Sequence, residues 1–280
     1  MKKLFGIVVF AILFGAQSSF IAFAEPNGSL ANEYAYSYYS QPDEVVDQGP
    51  LVLAQNKTSQ PEGNKKKDDY DEEYEEEGSL KAIPDPLEDL NRAFYSFNDG
   101  MYFYIFKPIG QGLRFIFPEP VRVAIRNFFY NLRFPARFLN CLFQLKMEGA
   151  ASEFARFILN STAGVAGFFD IASKAGLKNY DEDFGQTLGH WGMGNGFYLD
   201  IPFWGPSSAR DGFGLIVDGF LWPPSYIDPF WIAIAIRVGE ALNNVSLTIG
   251  DYEALKEAAL DPYIAIRDAY YQYRQTKIED

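Results

Sequence analysis

Cysteine, histidine and long apolar runs are scarce in this 280-residue chain, and each scarcity excludes something. The single cysteine, Cys141, lies deep in the sequence, so no disulfide forms within the chain. No cysteine stands near the N-terminus either, which predicts a protein that is not N-terminally lipidated. With one histidine, His190, a Ser-His-Asp triad has one candidate base, and no serine sits in a Gly-x-Ser-x-Gly elbow. His190 stands between a glycine and Trp191, where a structural hydrogen bond is the expected role. One histidine and one distant cysteine make no tetrahedral metal set, and Cys141 reads as a small buried hydrophobe. No basic stripe marks a nucleic-acid binder.

Glycine is not scarce, but its spacing excludes nucleotide folds. Gly192-x-Gly194-x-Gly196 is neither a dinucleotide fingerprint nor a P-loop. Asp181, Glu182 and Asp183 sit together beside glycine and read as a solvated patch rather than a catalytic carboxylate pair. No cofactor is implied, and nothing in the residues calls for an enzyme.

The chain divides by composition. Lys2 and Lys3, an apolar run from Leu4 to Phe14, and Ala22-Phe23-Ala24 make a secretory signal over residues 1–24. The apolar run is well short of the ~20 residues a spanning helix needs. Residues 25–80 carry 14 acidic and 4 basic side chains, most of the overall net charge of −13. Such a tract buries too little apolar surface to order itself, so it is expected to be a disordered acidic leader.

A folded domain is expected over 81–276, with a short tail at 277–280. Asp85-Pro86-Leu87-Glu88 has the makings of a helix start: a capping Asp, a Pro preset for the first turn, and Glu three residues after the cap. The Asp-Pro pair returns at Asp228-Pro229 and Asp261-Pro262. Val121, Ile125, Phe128, Phe129 and Leu132 recur at helical spacing, and Pro135 interrupts them. Further stripes follow at Phe138–Phe143 and Phe154–Ile158, then in the segment Phe230–Ile236 and the tyrosine-rich C-terminus. Their apolar faces are wide, aromatic and flanked by Arg or Lys, which suits a soluble core or a bilayer interface. From 184 to 220, nine glycines alternate with aromatics, which predicts a compact non-helical loop system.

Several ordered motifs resemble the MlaA (VacJ) family, the outer-membrane component of a bacterial pathway that maintains lipid asymmetry. They are Asp85-Pro86-Leu87-Glu88, Tyr95-x-Phe97-Asn98, Arg156-Phe157-x-x-Asn160-Ser161-x-x-Gly164 and Gly167-Phe168-x-Asp170. Asn91-Arg92, Phe184 to Gly196, Leu199-Asp200-Ile201-Pro202, Gly205-Pro206-Ser207, Arg210-Asp211, Asp261-Pro262-Tyr263 and Arg267-x-Ala269-Tyr270 complete the set. The resemblance implies a mainly α, ring-shaped arrangement of amphipathic helices lying in the outer membrane around a central channel, with glycine-rich loops. It implies phospholipid passage without catalysis, a porin scaffold and a soluble periplasmic lipid carrier as partners. Within it, Gly192, Gly194 and Gly196 are candidates to shape the opening. Asn98 and Asp99 are candidates to line or gate it, with a helix-ending turn as their ordinary reading. Arg210 and Asp211 are a headgroup contact or, preferentially, a structural ion pair. A soluble periplasmic adaptor or envelope structural protein with the same fold is the alternative function.

Overall fold

The computed structural model describes residues 83–279, so the signal and the acidic leader lie outside the described residues. Helix α1 (Glu88–Met101) opens the fold, but Asp85 does not cap it: the cap position is Leu87, without a side-chain hydrogen bond. Asp85 instead accepts from Asn91 Nδ2 at 2.7 Å and from the Tyr263 hydroxyl, with Arg267 3.7 Å away. Charged and phenolic donors from the far end of the chain outcompete the local backbone N–H groups for that carboxylate.

A π-helical stretch, Tyr102–Phe106, joins α1 to α2 (Lys107–Ile116). Pro108 follows it, and a proline has no N–H to offer the carbonyl four residues back while its ring crowds that carbonyl, so the ladder widens there. Helices α3 (Glu119–Leu132) and α4 (Phe134–Phe143) each carry a proline in the first turn, so Pro120 and Pro135 mark helix starts. Then come α5 (Met147–Thr162), the short α6 (Ile171–Lys174) and α7 (Phe184–His190). An antiparallel pair, β1 (Tyr198–Ile201) and β2 (Gly205–Ser208), leads into α8 (Ala209–Leu221). After a 3-10 turn at Pro223–Tyr226 the chain finishes with α9 (Phe230–Thr248), α10 (Asp251–Ala258) and α11 (Pro262–Glu279). Of the three Asp-Pro pairs, Asp261 caps in the expected way, accepting from the backbone N–H of Tyr263 and Ile264. The cap position of α9 is Pro229. Helix α11 runs past the boundary drawn at 276, so Lys277–Glu279 are helical rather than a tail.

The stretch from 184 to 220 corrects the sequence reading, because two helices and both strands lie in it. Five of its glycines are helical and two of them make a crossing. A Cβ on Gly214 of α8 would stand 2.4 Å from the backbone N of Gly185 in α7. The glycines therefore allow two helix backbones to touch, a use compatible with helix and worth more there than the entropy they cost.

The packing order closes on itself. Helix α2 packs on α9, α9 on α3, α3 on α4 and α5, α4 on α7 and α8, and α7 on α11. Helix α11 meets β2, and β1 lies on α1, where the path began. Arg114 Nε and Arg122 Nη1 each donate to the Ser246 carbonyl at 2.6 Å, tying α2 and α3 to the C-terminal turn of α9, whose carbonyls have no helical partner. Among the described residues no single helix is long and apolar enough to cross a membrane. Helices α9 and α10 taken together, bent by 62°, reach that length and composition.

Candidate functional site: a polar interior behind an apolar surface

The sides of this protein are reversed relative to a soluble domain. Among the described residues, buried polar and charged side chains outnumber buried apolar ones, and large apolar side chains crowd the surface. Phe115 is 93% exposed, and Tyr104, Ile116, Leu145, Val165, Trp191, Phe230 and Trp231 are all exposed. Scattered surface leucines are ordinary, whereas buried charge beside so much exposed aromatic surface carries information.

The interior polar groups form linked clusters. Glu153 is completely buried and takes Arg137 Nε at 2.8 Å and the backbone N–H of Tyr180 at 2.9 Å. Arg156 donates to both oxygens of Asp170, which also accepts from Asn160 and Ser173, and Asn160 accepts from the N–H of Ala172. This knot is what the Arg156–Asp170 motif builds. Between α4, α7 and α8, Asp218 accepts from Asn140 Nδ2 at 3.0 Å and from the N–H of Phe184 at 2.9 Å. Burial and the neighbouring Asp183 push its carboxyl up to about 7.

Arg210 and Asp211 are both buried in α8, with Arg210 Nε 2.8 Å from Asp211 Oδ1. Asp211 also accepts from Arg274 Nε at 2.9 Å and from the Tyr270 hydroxyl, so its oxygens are fully engaged by protein. Burial opposes ionisation, yet Arg274 and Arg210 hold the carboxyl down at about 2. Arg274 makes a second, two-pronged contact to Asp183 at 2.5 and 2.9 Å. The acidic triplet is therefore no solvated patch. Asp183 caps α7 and binds Arg274, while Glu182 is buried and accepts from Gln144 and Lys146, both at 2.8 Å.

Asn98 and Asp99 lie inside α1, not in a helix-ending turn. Buried Asn98 donates to Asp200 Oδ1 at 2.6 Å and Ile201 O at 3.0 Å, and accepts from the N–H of Phe203 at 2.7 Å. It thereby holds the β hairpin, at a residue (Phe203, φ 70°) whose backbone is in the left-handed region. Asp99 instead accepts from Tyr252 (2.9 Å) and Lys256 (2.6 Å) of α10. Gly192, Gly194 and Gly196 form an exposed turn; Gly192 and Gly196 have φ of 91° and 71°, and Trp191 and Met193 stand exposed beside them. The structure does not bring this turn to Asn98 as one site by any hydrogen bond among the described residues. His190 is exposed at the end of α7, and its side chain makes no hydrogen bond among the described residues, contrary to its expected structural bond. Cys141 is completely buried, and burial raises its thiol to about 12.

One group escaped the sequence reading: Arg133, Arg237, Glu240 and Asn244, where α3 meets α9. Its one local signal was an arginine at the end of the apolar run Phe230–Ile236.

A family model described as MlaA lipoprotein matches residues 83–277. This chain belongs to the MlaA family. The intermembrane phospholipid transport system lipoprotein MlaA of Escherichia coli is 36% identical over 195 residues, covering 67% of this chain and 76% of that protein. Its counterpart in Haemophilus influenzae is 32% identical over 205 residues, covering 70% and 80%. A solved structure, described as the structural basis for maintenance of bacterial outer membrane lipid asymmetry, matches with a TM-score of 0.62 at 33% identity. It covers 69% of this chain and 98% of that one, so the helical ring is the MlaA fold. The word lipoprotein in these descriptions stands against the expectation of no N-terminal lipid. The one cysteine of this chain is Cys141, inside α4.

Proposed function

We propose that this protein moves phospholipid without catalysis, taking molecules misplaced in the outer leaflet of the outer membrane and passing them to a periplasmic lipid carrier, so that lipid asymmetry is kept. The observation that carries this reading is the reversed burial pattern. A phospholipid headgroup does not cross hydrocarbon unaided, because its charges lose their hydration. The exposed aromatic side chains offer acyl chains and bilayer an apolar surface, and the inward polar clusters keep charge within the ring, where a path for the headgroup is part of this proposal. The same pattern supports seating in the membrane through exposed aromatic faces. A porin scaffold is part of this proposal by family likeness.

The test is recovery of the full-length mature protein from outer membranes, with mass spectrometry of what comes with it. Membrane enrichment that resists high salt, with bound phospholipid near stoichiometry, is the expected outcome. Phe115→Asp, which puts a charge on the most exposed phenylalanine among the described residues, should move protein into the soluble fraction without lowering its melting temperature. A lipid-free protein that stays soluble without detergent would overturn the reading in favour of a periplasmic adaptor.

A further inference from the structure

Buried cations in this protein are generally matched to carboxylates or carbonyls: Arg137 to Glu153, Arg156 to Asp170, Arg274 to Asp183 and Asp211, Arg122 to Ser246. The group at the α3–α9 junction breaks this pattern. Arg237, Glu240 and Asn244 follow one another at spacings of three and four on α9, so they share a face, and all are buried. Arg133 comes in from the end of α3, its Nη2 2.6 Å from Glu240 Oε1. That contact is close without hydrogen-bond alignment. Arg133 Nη2, Arg237 Nε, Glu240 Oε2 and Asn244 Oδ1 are all buried and have no hydrogen-bond partner within the protein.

The charges do not balance. Two guanidiniums share one carboxylate, and that carboxylate is engaged by Arg133. Arg237, 4% exposed, has no carboxylate within ion-pair distance among the described residues and lies 3.9 Å over the ring of Trp222. A π face stabilises a cation but does not neutralise it. An uncompensated interior charge is among the costliest things a fold can keep, and four unsatisfied polar atoms add to that cost. The surroundings do not help, since residues 107–133 carry five basic side chains and one acidic in a chain that is acidic overall. One bound monoanion would bring the group to neutrality.

We infer that Arg133, Arg237, Glu240 and Asn244 form a binding site for a phosphodiester anion, with Arg237 as its main ligand. A guanidinium presents N–H donors in a planar fork that matches two phosphate oxygens. Glu240 Oε2 and Asn244 Oδ1 can only accept, so they suit hydroxyl donors on the substituent that the phosphate carries. Arg133, whose side chain is 23% exposed, is the member that reaches the surface and marks the way in. The anion has two sources, a lipid headgroup or free phosphate. The lipid version rests on the transport reading above.

The experiment uses the full mature chain in detergent and native mass spectrometry with three probes: phosphatidylglycerol, diacylglycerol with the same acyl chains, and inorganic phosphate. Phosphatidylglycerol should bind at least tenfold more tightly than diacylglycerol. Arg237→Gln should lower phosphatidylglycerol binding about tenfold and leave diacylglycerol binding unchanged. Glu240→Gln, which removes the competing carboxylate and keeps the shape, should tighten phosphatidylglycerol binding; this arm stands even where Arg237→Gln fails to fold. Inorganic phosphate that displaces phosphatidylglycerol assigns one shared anion site to the headgroup. Arg237-dependent binding of inorganic phosphate without that displacement assigns the site to free phosphate. The inference is overturned by equal phosphatidylglycerol binding in wild type and Arg237→Gln, by an equal loss of diacylglycerol, or by a Glu240→Gln protein that binds no more tightly. An Arg237→Gln protein still carrying its full complement of lipid sinks the site and leaves transport standing. A wild type that carries none sinks transport, while the inorganic phosphate arm still judges the site.

Discussion

Asp200→Asn should make this protein more stable at neutral and alkaline pH. Asp200 is 2% exposed in β1, and its side chain accepts from Asn98, a neutral donor. No cation lies within ion-pair distance of it among the described residues. Burial without a counter-charge raises its carboxyl from the ordinary 3.8 to about 7, with the Asn98 hydrogen bond opposing. Between these two values the folded protein holds a proton that the unfolded chain has released. Stability therefore falls as pH rises through that window, and the loss is complete above about 7. About three pH units at 1.36 kcal/mol each set the loss at about 4 kcal/mol. Asparagine keeps an oxygen to accept from Asn98 and has no charge to bury, so the variant should escape the loss. Melting of both proteins in the same detergent at pH 4.5, 6 and 8 checks this. The two should be close at pH 4.5 and about 8–16 °C apart at pH 8, by the usual conversion for a domain of this size. Because Asp218 titrates in both, the difference between the proteins isolates Asp200. Parallel curves across the range would refute the reasoning.

Gly214→Ala should lower the melting temperature by the equivalent of about 1–3 kcal/mol or more, because its new methyl meets the Gly185 backbone rather than a movable side chain. Gly100→Ala in α1 meets nothing within 4 Å and should instead stabilise by about 0.5–1 kcal/mol; a destabilised G100A would contradict the packing described. Arg274→Met leaves Asp183 and Asp211 without their shared cation and should cost about 3–5 kcal/mol in chemical denaturation. Double substitution with Asp211→Asn should recover part of that cost.

What the sequence discloses is local. Prolines 118, 120 and 135 and the apolar period between them locate α3 and α4, and Asp261 caps α11 as its Asp-Pro pair suggests. What it conceals depends on distant partners. Gly185 and Gly214 look like helix breakers until each is seen against the other. Glu182 and Asp183 look solvated because Gln144, Lys146 and Arg274 stand 36 to 91 residues away. The reversal of inside and outside is concealed for a different reason. A helical stripe has the same period whether its apolar face turns toward a core or toward lipid. Arg237 was legible as a charge in an apolar run, but its lack of a counter-ion belongs to three dimensions.

The closing of the ring is made by the two ends of the described chain. Asp85 meets Tyr263 and Arg267, Arg92 meets Asp261, and Tyr95 packs edge-on to Tyr263. These contacts join residues about 170 positions apart, nearly the greatest separation the body offers. During synthesis the first helix must wait for the last, and until then the chain is an open strip whose polar and apolar faces are both accessible. Closure over so long a span carries a loop entropy that the local helices do not.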